Sequence, residues 1–377
     1  MRWRAVTWVL PLLGVVLVIP TWGRHLPLGV MLVLGLVLVG CVLSAVYHAE
    51  VVAHRVGEPF GSLVLAVAVT VIEVALIVTL MLTGGSDKAA LARDTVFAAV
   101  MITCNGIVGG SLLVATRQGR RAAFSAEGTG AALGSIAVLA TLSLALPTFT
   151  TSSPGPTFTS AQLAFAAVAS LVVYALYVFV LTVRHREQFM PVGEAVVLDA
   201  DPRSVGSSPG ADESELLGEQ HPDPPGAGTT AASVGLLLAA LVGVVGLSKA
   251  VSPAIEDAVR AGGLPLSFVG VVIALLVLLP EGLAALRASS RGQVQTSMNL
   301  AYGSAMASIG LTIPAIAIAS RWLDGPLLLG LGPTQLVFLA LTLVVSILTV
   351  APGRATLLQA GVHLTVFAGF LVLAASP

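Results

Sequence analysis

Glu73 stands inside the apolar run LVLAVAVTVIEVALIVTLML, and Glu281 inside FVGVVIALLVLLPEGLAAL. A charged side chain at the centre of a membrane helix costs about 2.5 to 3.5 kcal/mol on insertion scales. Residues held there at that cost usually face a protein-lined cavity and carry ion or proton traffic. The two glutamates fall at corresponding places in the two halves of the chain. That is the pattern of a transporter built from repeated units around one central site. Their chemistry is simple: two carboxylates are neutralised by one divalent cation or by two protons.

Other polar side chains in the apolar runs are candidates to complete a cation shell. Thr70 stands one turn before Glu73. Pro280 precedes Glu281 and, lacking an N–H, leaves a backbone carbonyl one turn earlier without its usual partner. A freed carbonyl beside a carboxylate is a suitable ligand set for a hard cation. Asn105 lies mid-run in VMITCNGIVGGSLLV among Gly106, Gly109 and Gly110, either as a ligand through its carbonyl or as glue between helices. In the second half MNLAYGSAMASIGLTIPAI offers Asn299, Ser304, Ser308 and Thr312 near four-residue spacing. Ser304 is the leading ligand there, with small-residue packing as the alternative. A structural ion pair is the bland account of the two glutamates, but neither run contains a Lys or Arg to pair with them.

A further group, His48, Glu50, His54 and Glu58, precedes the first glutamate run. Glu50 and His54 are four apart and could share a helix face as a metal or proton-relay pair, although such residues at a membrane edge are more often simply solvated. His363 and Lys249 carry little signal of their own. Cys41 and Cys104 sit in apolar runs as small buried thiols rather than as a disulfide framework.

The elements that must position these residues follow from composition. The chain has 377 residues, 56% hydrophobic and only 10% charged. Soluble domains carry roughly 25% charged residues, so this is an all-α integral membrane protein. A net charge of −1 gives no reason to expect nucleic acid as a partner, and no cofactor motif is present. Membrane lipid, inorganic cations and protons are the expected partners, with Ca2+ or Na+ as cargo. The oligomeric state is not legible. Runs of about 20 apolar residues predict eleven spanning helices. They cover 3–22, 27–47, 60–83, 95–116, 129–147, 161–183, 231–250, 264–286, 297–320, 333–350 and 355–375. The N-terminal run follows Arg2 and Arg4 but has no small-residue cleavage site after it, which favours a retained helix over a secretory signal.

Between 185 and 230 the chain is rich in Pro, Gly and Ser and holds nine acidic residues. Such a segment cannot bury a core and is expected to be a disordered hinge. Calcium sensing is the other reading, but the loop spacing of a calcium-binding motif is missing. Four parts are therefore expected: an N-terminal helix (1–22), a five-helix repeat (27–184), an acidic cytoplasmic linker (185–230) and a second five-helix repeat (231–377). Because five is odd, the second repeat crosses the membrane inverted relative to the first. Twelve Lys and Arg fall on the side of the N-terminus against six on the other, which places the N-terminus in the cytoplasm of a bacterial inner membrane.

The strings HAEVVAHRVGEPFGSLVLAVAVTVIEVALIV, TVRHREQF, SKAVSPAIEDAV and LLPEGLAALRASSRGQVQTSMNLAYGSAMASIGLTIPAI resemble the bacterial ChaA-type sodium/calcium–proton antiporters. These form part of the cation/proton exchanger branch of the calcium:cation antiporter superfamily. The likeness runs from about residue 40 to the C-terminus, the linker excepted. It implies two inverted five-helix repeats and a transport-site glutamate from each. Glu73 and Glu281 match those acidic positions, Asn105 the amide of the following helix, and Ser304 the Gly-Ser of the second repeat. Relatives in the wider superfamily often carry a polar residue one turn before each glutamate. Here Thr70 does so and Leu278 does not.

The expected activity is exchange of Ca2+, or Na+, for protons. The doubly charged empty site would be barred from crossing a low-dielectric barrier, and that bar couples the two fluxes. A monovalent Na+/H+ or K+/H+ antiporter with the same site is the first alternative. A passive channel is less consistent, because channels usually repeat a selectivity element around a pore. An intramembrane enzyme lacks its motifs: no paired aspartates, HExxH or partnered serine occurs in the helices.

Overall fold

The computed structural model describes residues 2–21, 24, 26–57, 60–82, 89–117, 121–184, 226–322 and 325–377. Among these, apolar runs become helices because only a helix satisfies every backbone N–H and C=O inside a bilayer without a partner strand. Eleven form, labelled here in chain order. They are α1 (Arg2–Thr21), α2 (Leu28–Val56), α3 (Phe60–Leu82), α4, α5, α6, α7 (Ala227–Ala261), α8 (Phe268–Ser290), α9 (Val294–Ala319), α10 (Pro333–Val350) and α11 (Leu357–Ala375). Helix α4 joins Leu91–Met101 to Val108–Thr116 through a π-helical segment, Ile102–Ile107. Helix α5 runs through Ala126–Ala140 into a π-helical segment, Thr141–Ala145, and a 3-10 turn, Leu146–Thr148. Helix α6 is Ser160–Phe179 with a π-helical end, Val180–Arg184. Ten of these runs are long and apolar enough to cross a membrane, and α1 contributes a shorter apolar stretch, Val6–Thr21.

Two helices outrun their expected ends. Helix α2 continues to Val56, so His48, Glu50 and His54 are helical, and it stops where Gly57 takes a positive φ of 76°. Helix α7 begins at Ala227 rather than 231 and continues to Ala261 past Pro253. Polarity ends the apolar pattern before it ends the helix, since charged side chains at a membrane edge are solvated while the backbone ladder goes on. The linker expected over 185–230 thus gives its last few residues to α7. Its remaining part, 185–225, and Glu58 lie outside the described residues.

Helix ends are closed locally. Thr159 and Gln162 form a capping box at the start of α6, Ser125 accepts from the Gly128 N–H at α5, and the Gln335 side chain accepts from the Gly332 N–H before α10. A two-residue antiparallel ribbon, Ala122–Ala123 with Arg354–Ala355, ties the α4–α5 connection to the α10–α11 connection.

The packing repeats itself. Helix α4 of the first repeat lies against α8 and α11 of the second, and α9 of the second lies against α3 and α6 of the first. Helices α2 and α7 pack together, with α1 laid across both. This exchange of partners is what two equivalent five-helix units give when they interlock. Helix α4 is almost wholly buried, while Ile19, Leu36 and Leu358 are more than 70% exposed on the perimeter. An outer skin of large apolar side chains is stable against lipid and not against water.

Candidate functional site

Helices α3 and α8 both have 23 residues, and both begin at a phenylalanine. Glu73 follows Phe60 by thirteen residues and Glu281 follows Phe268 by thirteen. Four helices, α4 to α7, lie between them in chain order, so α3 and α8 run in opposite directions.

Glu73 is buried, and the Ser308 hydroxyl of α9 donates to its Oε1 at 2.7 Å. Thr312, one turn along α9, turns its buried hydroxyl to the same carboxyl without completing a hydrogen bond. Glu281 is partly exposed, yet its Oε2 is buried and has no hydrogen-bond partner among the described residues. The charges of Glu73 and of Glu50, which lies exposed on α2, both act on it. No Lys, Arg or His is among the groups acting on Glu73 or Glu281. An orphaned buried carboxylate oxygen is expensive unless something occupies it part of the time. Pro280 supplies a second free acceptor, because the Leu276 carbonyl has no proline N–H to bond.

The other expected ligands lie nearby. Ser304 is half-buried on α9, one turn before Ser308, and makes no hydrogen bond to either carboxyl. Asn105 is fully buried in the π-helical segment of α4. That segment meets α8 beside the glutamate: a Cβ added at Gly282 would lie 3.5 Å from Ile107. In this conformation the Asn105 amide points to α10 and α11, its Nδ2 donating to Thr342 Oγ1 at 2.9 Å. Glu50 lies within electrostatic reach of His54 and of Arg287 at the same end of the bundle.

By sequence spacing Ser308 ranks below Ser304, and His363, which the fold sets against Asn105, carries little signal. Four-residue spacing identifies a serine face but not which of its turns meets a carboxylate on another helix. An imidazole amid apolar residues was the available signal for His363.

Eleven apolar helices in two interlocked sets, with a pair of carboxylates that have no cationic partner among the described residues, have the architecture of a multi-pass membrane transporter. The chain belongs to the sodium/calcium exchanger protein family, whose pattern matches residues 26–183 and 232–375. It is 42% identical over 374 residues to the "Putative ionic transporter y4hA" of Sinorhizobium fredii, covering 98% of this chain and 96% of that one. It is 32% identical over 375 residues to the sodium-potassium/proton antiporter ChaA of Escherichia coli, again covering 98% and 96%. Among solved structures, native YfkE superposes with a TM-score of 0.69 at 15% identity, covering 98% of this chain and 99% of that one. The H+/Ca2+ exchanger CAX superposes with a TM-score of 0.67 at 18% identity, covering 98% and 87%. The sequence relationship carries the family and its transmembrane cation antiport, and the structural likenesses carry the fold.

Proposed function

We propose that the protein exchanges Ca2+ for protons across the bacterial inner membrane, with Glu73 and Glu281 binding the cation and the protons in turn. The observation that carries this reading is the equivalence of the two carboxylates: same rank in equal helices, opposed direction, shared field and no cationic partner. Ca2+ takes oxygen ligands only and tolerates irregular shells. Glu73, Glu281, the Leu276 carbonyl and the hydroxyls of Ser308 and Ser304 form such a set, and Asn105 joins it if its amide turns inward. Loaded with one Ca2+ or two protons, the site is neutral. Empty, it carries two negative charges that the membrane interior resists, so return without a load is blocked and exchange is obligatory. The partly exposed Glu281 and the exposed Glu50 support water access from the arginine-rich end, the cytoplasmic side by the charge rule.

A second reading has its own support. The likeness over nearly the whole chain to a sodium-potassium/proton antiporter favours a monovalent cation at the same site. The experiment is a purified protein in liposomes holding a pH-sensitive dye and an imposed pH gradient, challenged separately with Ca2+, Na+ and K+. Release of protons on adding Ca2+ supports the first reading, and release on adding only Na+ or K+ replaces it with the second. Cation flux without proton movement would overturn both.

A further inference from the structure

His363 of α11 is a fully buried imidazole that the exchange scheme does not use. Its Nδ1 lies 3.3 Å from Asn105 Oδ1 and its Nε2 lies 3.1 Å from Thr349 Oγ1. Donor rules fix the arrangement. The Asn105 Nδ2 donates to Thr342, so its Oδ1 faces the imidazole and can only accept. Nδ1 therefore carries the hydrogen, and Nε2 accepts from the Thr349 hydroxyl. The imidazole also lies near the Cys104 carbonyl, inside the π-helical segment. Thr342 and Thr349, two turns apart on one buried polar face of α10, close the network.

Such a network could serve only to hold helices together, as buried polar residues in membranes often do. Its location argues for more. It grips the π-helical segment of α4, the stretch that meets α8 at Gly282 beside Glu281. Irregular turns of this kind are frequent at functional sites. The approach of α11 is also built in, because Cβ atoms at Gly106 and Gly109 would lie 3.3 Å from Phe367 and 3.0 Å from the Cβ of His363. Larger residues there would push the imidazole off Asn105.

We propose that His363 is a positioning residue for cation exchange: it fixes the Asn105 amide and the π-helical segment against α8, and so sets the shape of the Glu281 half of the site. This rests on the reading of Glu281 as a transport residue. The test is cation-driven proton release from proteoliposomes containing the full chain, with the variants His363→Ala, His363→Asn, Asn105→Ala, the double variant His363→Ala with Asn105→Ala, and Glu281→Gln. His363→Ala is expected to raise the apparent Michaelis constant about tenfold at a similar maximal rate, the equivalent of one buried hydrogen bond. His363→Asn, whose amide N–H can replace Nδ1–H, should recover most of that loss. The double variant should be no worse than Asn105→Ala alone.

An unchanged Michaelis constant in His363→Ala overturns the proposal. So does an effect that adds in full to that of Asn105→Ala, or a loss only in the amount of folded protein. If His363→Ala does not fold, His363→Asn decides: near-normal affinity supports the role, and a loss as large as that of Asn105→Ala sinks it. Glu281→Gln separates the two levels. If it is inactive while His363→Ala is normal, the positioning role alone fails. If it exchanges normally, the site assignment fails and the positioning role with it.

Discussion

The Ser308 hydroxyl on α9 donates to Glu73 Oε1 on α3 at 2.7 Å, joining the second repeat to the carboxylate of the first. Glu281, at the same rank in the other half, has a buried oxygen with no such donor. The two half-sites are thus equivalent in backbone and unequal in chemistry. One carboxylate accepts a hydrogen bond, and the other has an oxygen with no donor among the described residues.

Removing the Ser308 bond should weaken cation binding more than any other hydroxyl change. A hydrogen bond to a charged group is worth about 1.5–3 kcal/mol. Ser308→Ala should raise the apparent Michaelis constant by about ten- to a hundredfold in a proteoliposome assay. Ser304→Ala, whose hydroxyl does not reach the carboxyl, should change it by about threefold or less, by comparison with the net worth of an ordinary polar contact. Equal effects of the two would place the binding face of α9 elsewhere.

Glu73→Gln and Glu281→Gln should each abolish exchange while leaving a monodisperse protein in detergent. Gln keeps the shape and the hydrogen-bond capacity but cannot take up and release a proton. Normal exchange by either variant would remove that residue from the site.

Protons and the cation should compete. Lowering the pH on the cation side is expected to raise the apparent Michaelis constant for Ca2+ and leave the saturated rate nearly constant. The sign follows from occupancy: a protonated carboxyl has no charge to offer the cation, and excess cation displaces the proton. Initial rates across Ca2+ concentration, at fixed pH in the opposite compartment, measure it. A pH effect confined to the maximal rate would mean that both ions bind together.

Close helix approach predicts a stability contrast. A Cβ at Gly109 would meet His363 and Leu364 at 3.0 Å, whereas one at Gly134 meets nothing within 4 Å. Gly109→Ala should lower the thermal unfolding midpoint, consistent with a cost of about 1–3 kcal/mol for overpacking. Gly134→Ala should be neutral or slightly stabilising through helix propensity. A thermal shift in detergent compares them, and an unchanged Gly109→Ala would show that α11 has room to move.

Orientation can be read by labelling. Ser152 follows α5 and Ser290 ends α8, both are exposed, and the native Cys41 and Cys104 are buried. With the N-terminus in the cytoplasm, an impermeant thiol reagent outside intact cells should modify Ser152→Cys and spare Ser290→Cys. The reverse pattern would invert the topology.

The class of protein and the matching positions of its two carboxylates are legible in the residues alone. Long apolar runs admit no soluble fold, and a lone glutamate inside such a run stands out by its cost, so Glu73 and Glu281 are candidates from the sequence alone. With the N-terminal helix set aside, five spans on each side of the acidic segment lead to the expectation of inversion. Tertiary structure alone decided which side chains meet them. Ser308 rather than Ser304 reaches Glu73 because contact depends on how α9 is rotated and how far it slides along α3, and helical periodicity repeats at every turn without choosing one. Asn105 turns to His363 and Thr342 because the π-helical segment shifts its face and two glycines admit α11. Those are interactions over more than two hundred residues of chain, and no local pattern in the sequence encodes them.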